Sequence, residues 1–210
     1  CADAIKFQHH LPDEEMLPVV PMSSNFDIPL YDFLKKYALT LEQHAELKQF
    51  CESINIQYLC TPFSWKAAQE LEELCVPAYK IGSGEMTDLP SLIKIAEFGK
   101  PMILSTGMAT YYEIDRTYNA LTNQNTSFAL MNCISEYPAV YEDVNLGVIS
   151  VMKDRYSMAV IGHSDHTPDL YTCFGAVAFG AHILEKHVIL DKKQPGPDQS
   201  VSIDFSELSA

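Results

Sequence analysis

The chain has 210 residues, 47% of them hydrophobic, which suffices for one domain with a full core. Its formal net charge of -14 speaks against nucleic acid or an anionic membrane surface as a main partner, because both would repel it at long range. A small anion held by a few local lysines stays open. No apolar stretch approaches the ~18 residues of a membrane span, and no basic-then-apolar leader is read, so no membrane partner is expected. Six cysteines (Cys1, Cys51, Cys60, Cys75, Cys133, Cys173) lack C-x-x-C spacing, and four fall inside apolar strand or helix patterns, pointing to a reducing, cytoplasmic compartment. The chain begins at Cys1 rather than methionine, just ahead of a strand-like run, which reads as a fragment of a longer protein.

The first apolar run of strand length is AIKFQ, residues 4–8. Residues 9–39, with Pro12, Pro18, Pro21 and Pro29, read as an extended loop. A helix is expected to begin near Thr40, since Thr40 and Gln43 fit the capping box, and Leu47, Phe50, Cys51 and Ile54 recur at helical spacing. IQYLC (56–60) follows, then a helix start at Trp65. AYKIGS (78–83) leads to a helix marked by Leu89, Leu92, Ile93 and Ala96, which Gly99 ends. PMILS (101–105) precedes a second capping box at Thr110 and Glu113, and FALMNC (128–133), MAVIG (158–162) and HILEKHV (182–188) complete the series. DKKQPGPDQS (191–200) is loop by its proline, glycine and aspartate content.

From the second run onward the repeat is one βα unit, and the runs are near-continuous rather than alternating, as a covered parallel sheet requires. Such a chain is either a doubly wound sheet or a (β/α)8 barrel lacking one unit. Every run ends in a polar residue: Gln8, Thr61, Ser83, Ser105, Ser135, Ser164 with His166, and His187. A doubly wound sheet gathers ligand groups near one switch point, whereas a barrel collects them from nearly all strands, so the TIM barrel is preferred.

Lys6 and Lys80 lie inside strands. An unpartnered buried ammonium is costly, so two of them in one barrel mouth suggest a bound anion, with salt bridges to neighbouring carboxylates as the plainer reading. The strand-end hydroxyls of Thr61, Ser83 and Ser105 favour the anion. His166 and His187 end consecutive strands, and two imidazoles suit a divalent transition metal with open positions for water or substrate. His163 is read as lining the wall, His9 and His10 as solvated, and Trp65 as packing at a helix start. The loop past His187 places Asp198 over the mouth, where a carboxylate can accept hydroxyl bonds from a sugar.

In order, KFQ, TPF, YKIGSGE, LSTGM, SEYP, SDHT, EKH and PGPD resemble the sialic acid synthase family, which condenses phosphoenolpyruvate with amino sugars to make N-acetylneuraminate, legionaminate or pseudaminate. The resemblance runs from Ala2 to about Leu208. It implies a (β/α)8 barrel whose first βα unit would precede Cys1, and whose small C-terminal antifreeze-like domain, reaching into the partner subunit of a homodimer, would follow Ala210. It further implies that Lys6, Thr61, Lys80, Ser83, Ser105, Ser135 and Ser164 hold phosphoenolpyruvate. Gln8, Glu85 and Tyr137 would line the sugar side, Asp198 would contact the amino sugar, and Glu85 would assist proton transfer. His166 and His187 would bind the metal, manganese first with magnesium or cobalt as alternatives, and Asp165 would orient His166. His163, Ile134, His9 and His10 depart from the family pattern. The implied activity is that of a carbon–carbon bond-forming transferase of carbohydrate biosynthesis. The rival readings are another barrel synthase or aldolase and a non-catalytic remnant that binds metal and ligand.

Overall fold

The computed structural model describes residues 2–19, 22, 26 and 28–209; Cys1, Pro21 and Ala210 lie outside them. Seven strands form one parallel sheet in the order of the sequence: β1 (Ala4–His9), β2 (Gln57–Pro62), β3 (Tyr79–Ile81), β4 (Met102–Ser105), β5 (Phe128–Cys133), β6 (Val160–Asp165) and β7 (Leu184–Lys186). Each strand pairs with its sequence neighbours, so β1 bonds only to β2, and β7 only to β6. The sheet nevertheless curls, which brings Lys6 of β1 into an ion pair with Glu185 of β7.

All six residues of β5 are buried, as the unbroken apolar run FALMNC predicts for a strand covered on both faces. Helices pack against the outer face, where Tyr58, Leu71, Tyr79, Leu92, Leu121 and Tyr156 form part of one buried cluster. Both capping boxes form: Thr40 with Gln43 opens the helix Leu41–Ser53, and Thr110 with Glu113 opens Tyr111–Asn123. Each satisfies free amides at a helix start. Trp65 begins the helix Trp65–Glu73 and stacks on Phe98, with ring centroids 5.5 Å apart. Gly99 follows the helix Leu89–Ala96 at φ 71°, a left-handed geometry that glycine adopts without steric cost. Gly162 within β6 is also required, since a Cβ there would lie 2.7 Å from the carbonyl oxygen of Ile183. Cys51, Cys60, Cys133 and Cys173 are buried free thiols, and no helix among the described residues is long and apolar enough to cross a membrane.

Residues 9–39 are not an extended loop throughout. They contain the short helix Pro12–Glu15 and the amphipathic helix Leu30–Tyr37. Two of the prolines that suggested loop sit where helices tolerate them, Pro12 at a first turn and Pro29 just ahead of one. In the helix Leu41–Ser53 the buried side chains are His44 and Cys51, while Phe50 is 60% exposed and Ile54, at the cap, 50% exposed. A histidine occupies the inward position because its Nδ1 lies 2.7 Å from the hydroxyl of buried Tyr58. The strands also differ in extent: β3 and β7 are three residues each, and β6 begins at Val160 and continues to Asp165.

Candidate active site

The polar strand ends converge on one face of the curl. Lys80 of β3 is only 4% exposed; its Nζ donates to Ser105 Oγ at 2.7 Å and to the Ile81 carbonyl at 3.1 Å, and lies 3.3 Å from Glu185 Oε2. Glu185 also pairs with Lys6, so one carboxylate joins lysines from the first and third strands. Burial alone would push the Glu185 carboxyl up, but the Lys6 and Lys80 ammoniums outweigh it and hold the group well below the carboxylate range. Burial pushes Lys80 the other way, below the usual lysine value. Glu185 was not singled out as a site residue in the sequence. The available signal was an acidic residue inside a strand-like run, complementary in charge to two strand lysines.

A set of hydroxyls adjoins this cluster. The Gly107 amide donates to Ser83 Oγ at 3.1 Å, and a Cβ at Gly107 would lie 2.6 Å from Ser135 Oγ and 3.0 Å from both Ser83 Oγ and Cys133 Sγ. A side chain at position 107 would displace these groups from where they face one another. Thr61 and Ser164 are buried, the latter in register with Cys133 on the adjacent strand.

His166 donates from Nδ1 to the Ile134 carbonyl at 2.6 Å, which leaves the Nε2 lone pair to accept from the Tyr137 hydroxyl at 3.0 Å. The His187 ring stands 5.3 Å from that of His166, centroid to centroid, and Asp198 Oδ2 lies 3.6 Å from His187 Nδ1. Burial lowers both imidazoles to about 4, helped at His187 by the Lys6 charge and at His166 by His187. Both are therefore neutral near pH 7, the form that ligates a metal. No group of three or more metal-ligating side chains occurs among the described residues. Two imidazoles would share a metal with water or substrate. Burial pushes the Asp198 carboxyl up. Glu85 is also shifted up by burial; it lies against Gly82, and its buried Oε2 has no hydrogen-bond partner among the described residues.

Several neighbours differ from expectation. Asp165 does not orient His166; it bonds Lys186, Thr167 and Thr172, with His163 Nε2 at 3.4 Å, on the side of the sheet facing the helix Tyr171–Ala178. Alternation along β6 sends it away from the face that carries Ser164 and His166. The Ile134 carbonyl takes the orienting role. His9 is 1% exposed rather than solvated, with Nε2 2.8 Å from Glu70 and its ring edge-on to His44. His10 is half-buried, stacked on Phe63 and 3.1 Å from Glu15.

Beside the histidines opens a cavity of about 330 Å³. Lys6, Gln8, His187 and Asp198 line one side of it, and Phe33 and Tyr37 of the helix Leu30–Tyr37 the other.

A curled parallel sheet with lysines, hydroxyls and imidazoles gathered at its strand ends is the architecture of barrel-type α/β enzymes. The chain belongs to the NeuB family, whose model matches residues 1–210. It is 41% identical to the N,N'-diacetyllegionaminic acid synthase of Campylobacter jejuni, over 83% of this chain and 53% of that protein. It is 36% identical to the human N-acetylneuraminate-9-phosphate synthase, over 80% of this chain and 47% of that one. The crystal structure of a Leptospira borgpetersenii N-acetylneuraminic acid synthetase in complex with citrate superimposes with a TM-score of 0.89 at 30% identity, covering 99% of this chain and 70% of that one. The chain thus spans about half the length of the curated synthases it matches.

Proposed function

We propose that the chain is the phosphoenolpyruvate-condensing part of a nonulosonic acid synthase that joins phosphoenolpyruvate to N-acetylmannosamine or a related N-acyl hexosamine and releases phosphate. The observation that carries this reading is the convergence of Lys6 and Lys80 on one buried site with Ser105, beside two neutral histidines. In this reading one more βα unit would fill the gap between β1 and β7, and a small C-terminal domain would contribute to a cytoplasmic homodimer.

In this reading Lys6 and Lys80 turn from Glu185 toward the phosphate and carboxylate of phosphoenolpyruvate, and Thr61, Ser83, Ser105, Ser135 and Ser164 supply hydroxyl donors. This is positioning and electrostatic preorganisation, with no covalent intermediate on the protein. C3 of phosphoenolpyruvate attacks the aldehyde carbon of the open-chain sugar, water adds at C2, and phosphate leaves with C–O cleavage. His166 and His187 fit a divalent metal, because both are neutral and the Nδ1 proton of His166 is committed to a backbone carbonyl. When bound, manganese, or magnesium or cobalt in its place, would polarise the sugar aldehyde. Gln8, Tyr137 and Asp198 orient the sugar hydroxyls. Glu85, whose buried carboxyl holds its proton more tightly than an ordinary glutamate, assists proton transfer.

Phosphate release from phosphoenolpyruvate, in the full-length protein with manganese and each candidate sugar, tests the reading. Release with a sugar, abolished by chelator or His166→Ala, is expected. A folded protein that binds metal and phosphoenolpyruvate but releases no phosphate with any of them would leave only a binding role.

A further inference from the structure

The cavity beside His187 has two chemically different sides. Lys6, Gln8, His187 and Asp198 offer charges and hydrogen bonds, while Phe33, Leu34, Tyr37 and Leu39 offer apolar surface, much of it aromatic. Phe33 and Tyr37 sit one turn apart on the helix Leu30–Tyr37, with ring centroids 4.7 Å apart, and Phe26 meets Phe33 edge-on at 4.9 Å. Tyr31 and Leu34 are buried and anchor the helix, while Phe33 and Tyr37 stay accessible beside the cavity. Tyr37 is 56% exposed although its ring flanks a cavity. At about 330 Å³ the space suits a single modified hexose.

A sugar docked with its hydroxyls on the polar side turns its remaining substituents toward the aromatic wall. A hydroxymethyl or free hydroxyl set against those ring faces loses water and gains no hydrogen bond from them. A methyl, on an acetamido group or on a deoxygenated carbon, is buried against ring faces with gain. Resting on the synthase reading above, we infer that Phe33 and Tyr37 are specificity-determining residues that select an acceptor hexose carrying a second acetamido group and a deoxy methyl, over N-acetylmannosamine. The selection is made by the side chains of a helix that follows β1, away from the lysines and histidines that handle the reacting atoms.

The test compares kcat/KM, read as phosphate release, for a diacetamido trideoxy hexose and for N-acetylmannosamine in the full-length protein with manganese. The diacetamido sugar is expected to be favoured at least about tenfold. Phe33→Ser and Tyr37→Ser should each shrink that ratio about tenfold, and Tyr37→Phe should preserve it, because the ring face and not the hydroxyl makes the contact. Both sugars are assayed on the same protein, so a partial folding defect cancels from the ratio. Preference for N-acetylmannosamine, or a ratio unmoved by both serine variants, overturns the inference while the release itself upholds the synthase. No release with either sugar, from folded protein that binds phosphoenolpyruvate, overturns the synthase reading and this inference with it.

Discussion

The carboxylate of Glu185 on β7 pairs with the ammonium of Lys6 on β1, although the two strands share no backbone hydrogen bond. The same carboxylate neutralises Lys80, so its removal leaves two cations close together in a poorly solvated site. Glu185→Gln is expected to lower unfolding stability by about 3 kcal/mol, the usual scale for breaking a buried pair from one side. Inorganic phosphate or phosphoenolpyruvate should restore more of the variant's Tm than it adds to the wild type, because the anion supplies the missing charge. Thermal unfolding with and without phosphate checks this. Equal shifts in both proteins would show that the lysines do not lean on Glu185.

Lys80→Met removes the more deeply buried cation and leaves Glu185 still paired with Lys6. Phosphoenolpyruvate binding, followed by calorimetry, is expected to weaken about 100-fold, while stability changes little. Retained affinity would place the anion elsewhere.

Tyr137 donates its hydroxyl to the nitrogen of His166 that a metal would need. Losing that one hydrogen bond, worth ~1 kcal/mol, should tighten manganese binding about fivefold in Tyr137→Phe. A manganese titration read by electron paramagnetic resonance decides the point, and a weaker affinity would make the tyrosine an aid to the metal and not its competitor.

His44, fully buried between His9 and Tyr58, is lowered by burial from 6.5 to about 4. Between those values the unfolded chain takes up a proton that the folded one refuses, so this group makes stability fall as pH drops from above 6.5 toward 4. The loss at the acid end is on the order of 3 kcal/mol. His44→Gln should flatten that part of the profile, measured as urea midpoints across the range. An unchanged slope would assign the acid sensitivity to other groups.

Much of the site was legible because strand ends advertise themselves. A polar residue closing an apolar run, repeated seven times, pointed to Ser105, His166 and His187 without coordinates, and Lys80 stood out as a charge inside such a run. Partnership was less visible. Glu185 sits in an apolar run that names no partner, and only the curl of the sheet brings it to lysines far away in sequence. Asp165 was misplaced because adjacency in sequence was taken for adjacency in space, whereas strand alternation sends neighbours to opposite faces. The helix Leu30–Tyr37 was hidden by composition: its flanking prolines outweighed the helical spacing of Leu30, Leu34 and Tyr37. His44 was invisible for a similar reason, since an inward histidine breaks an apolar stripe unless its hydrogen-bond partner is known.

The strict succession of strands from β1 to β7 bears on how the molecule is made. Every pairing joins one strand to the next one synthesised, so each closes a loop no longer than the segment between them, at an entropic cost that rises slowly with length. The sheet can therefore grow in the order in which the ribosome delivers it, from the amino-terminal side onward. The meeting of Lys6 with Glu185 is the exception. It waits for β7, so the charge pattern of the active face is completed only once the segment from β1 through β7 is in place.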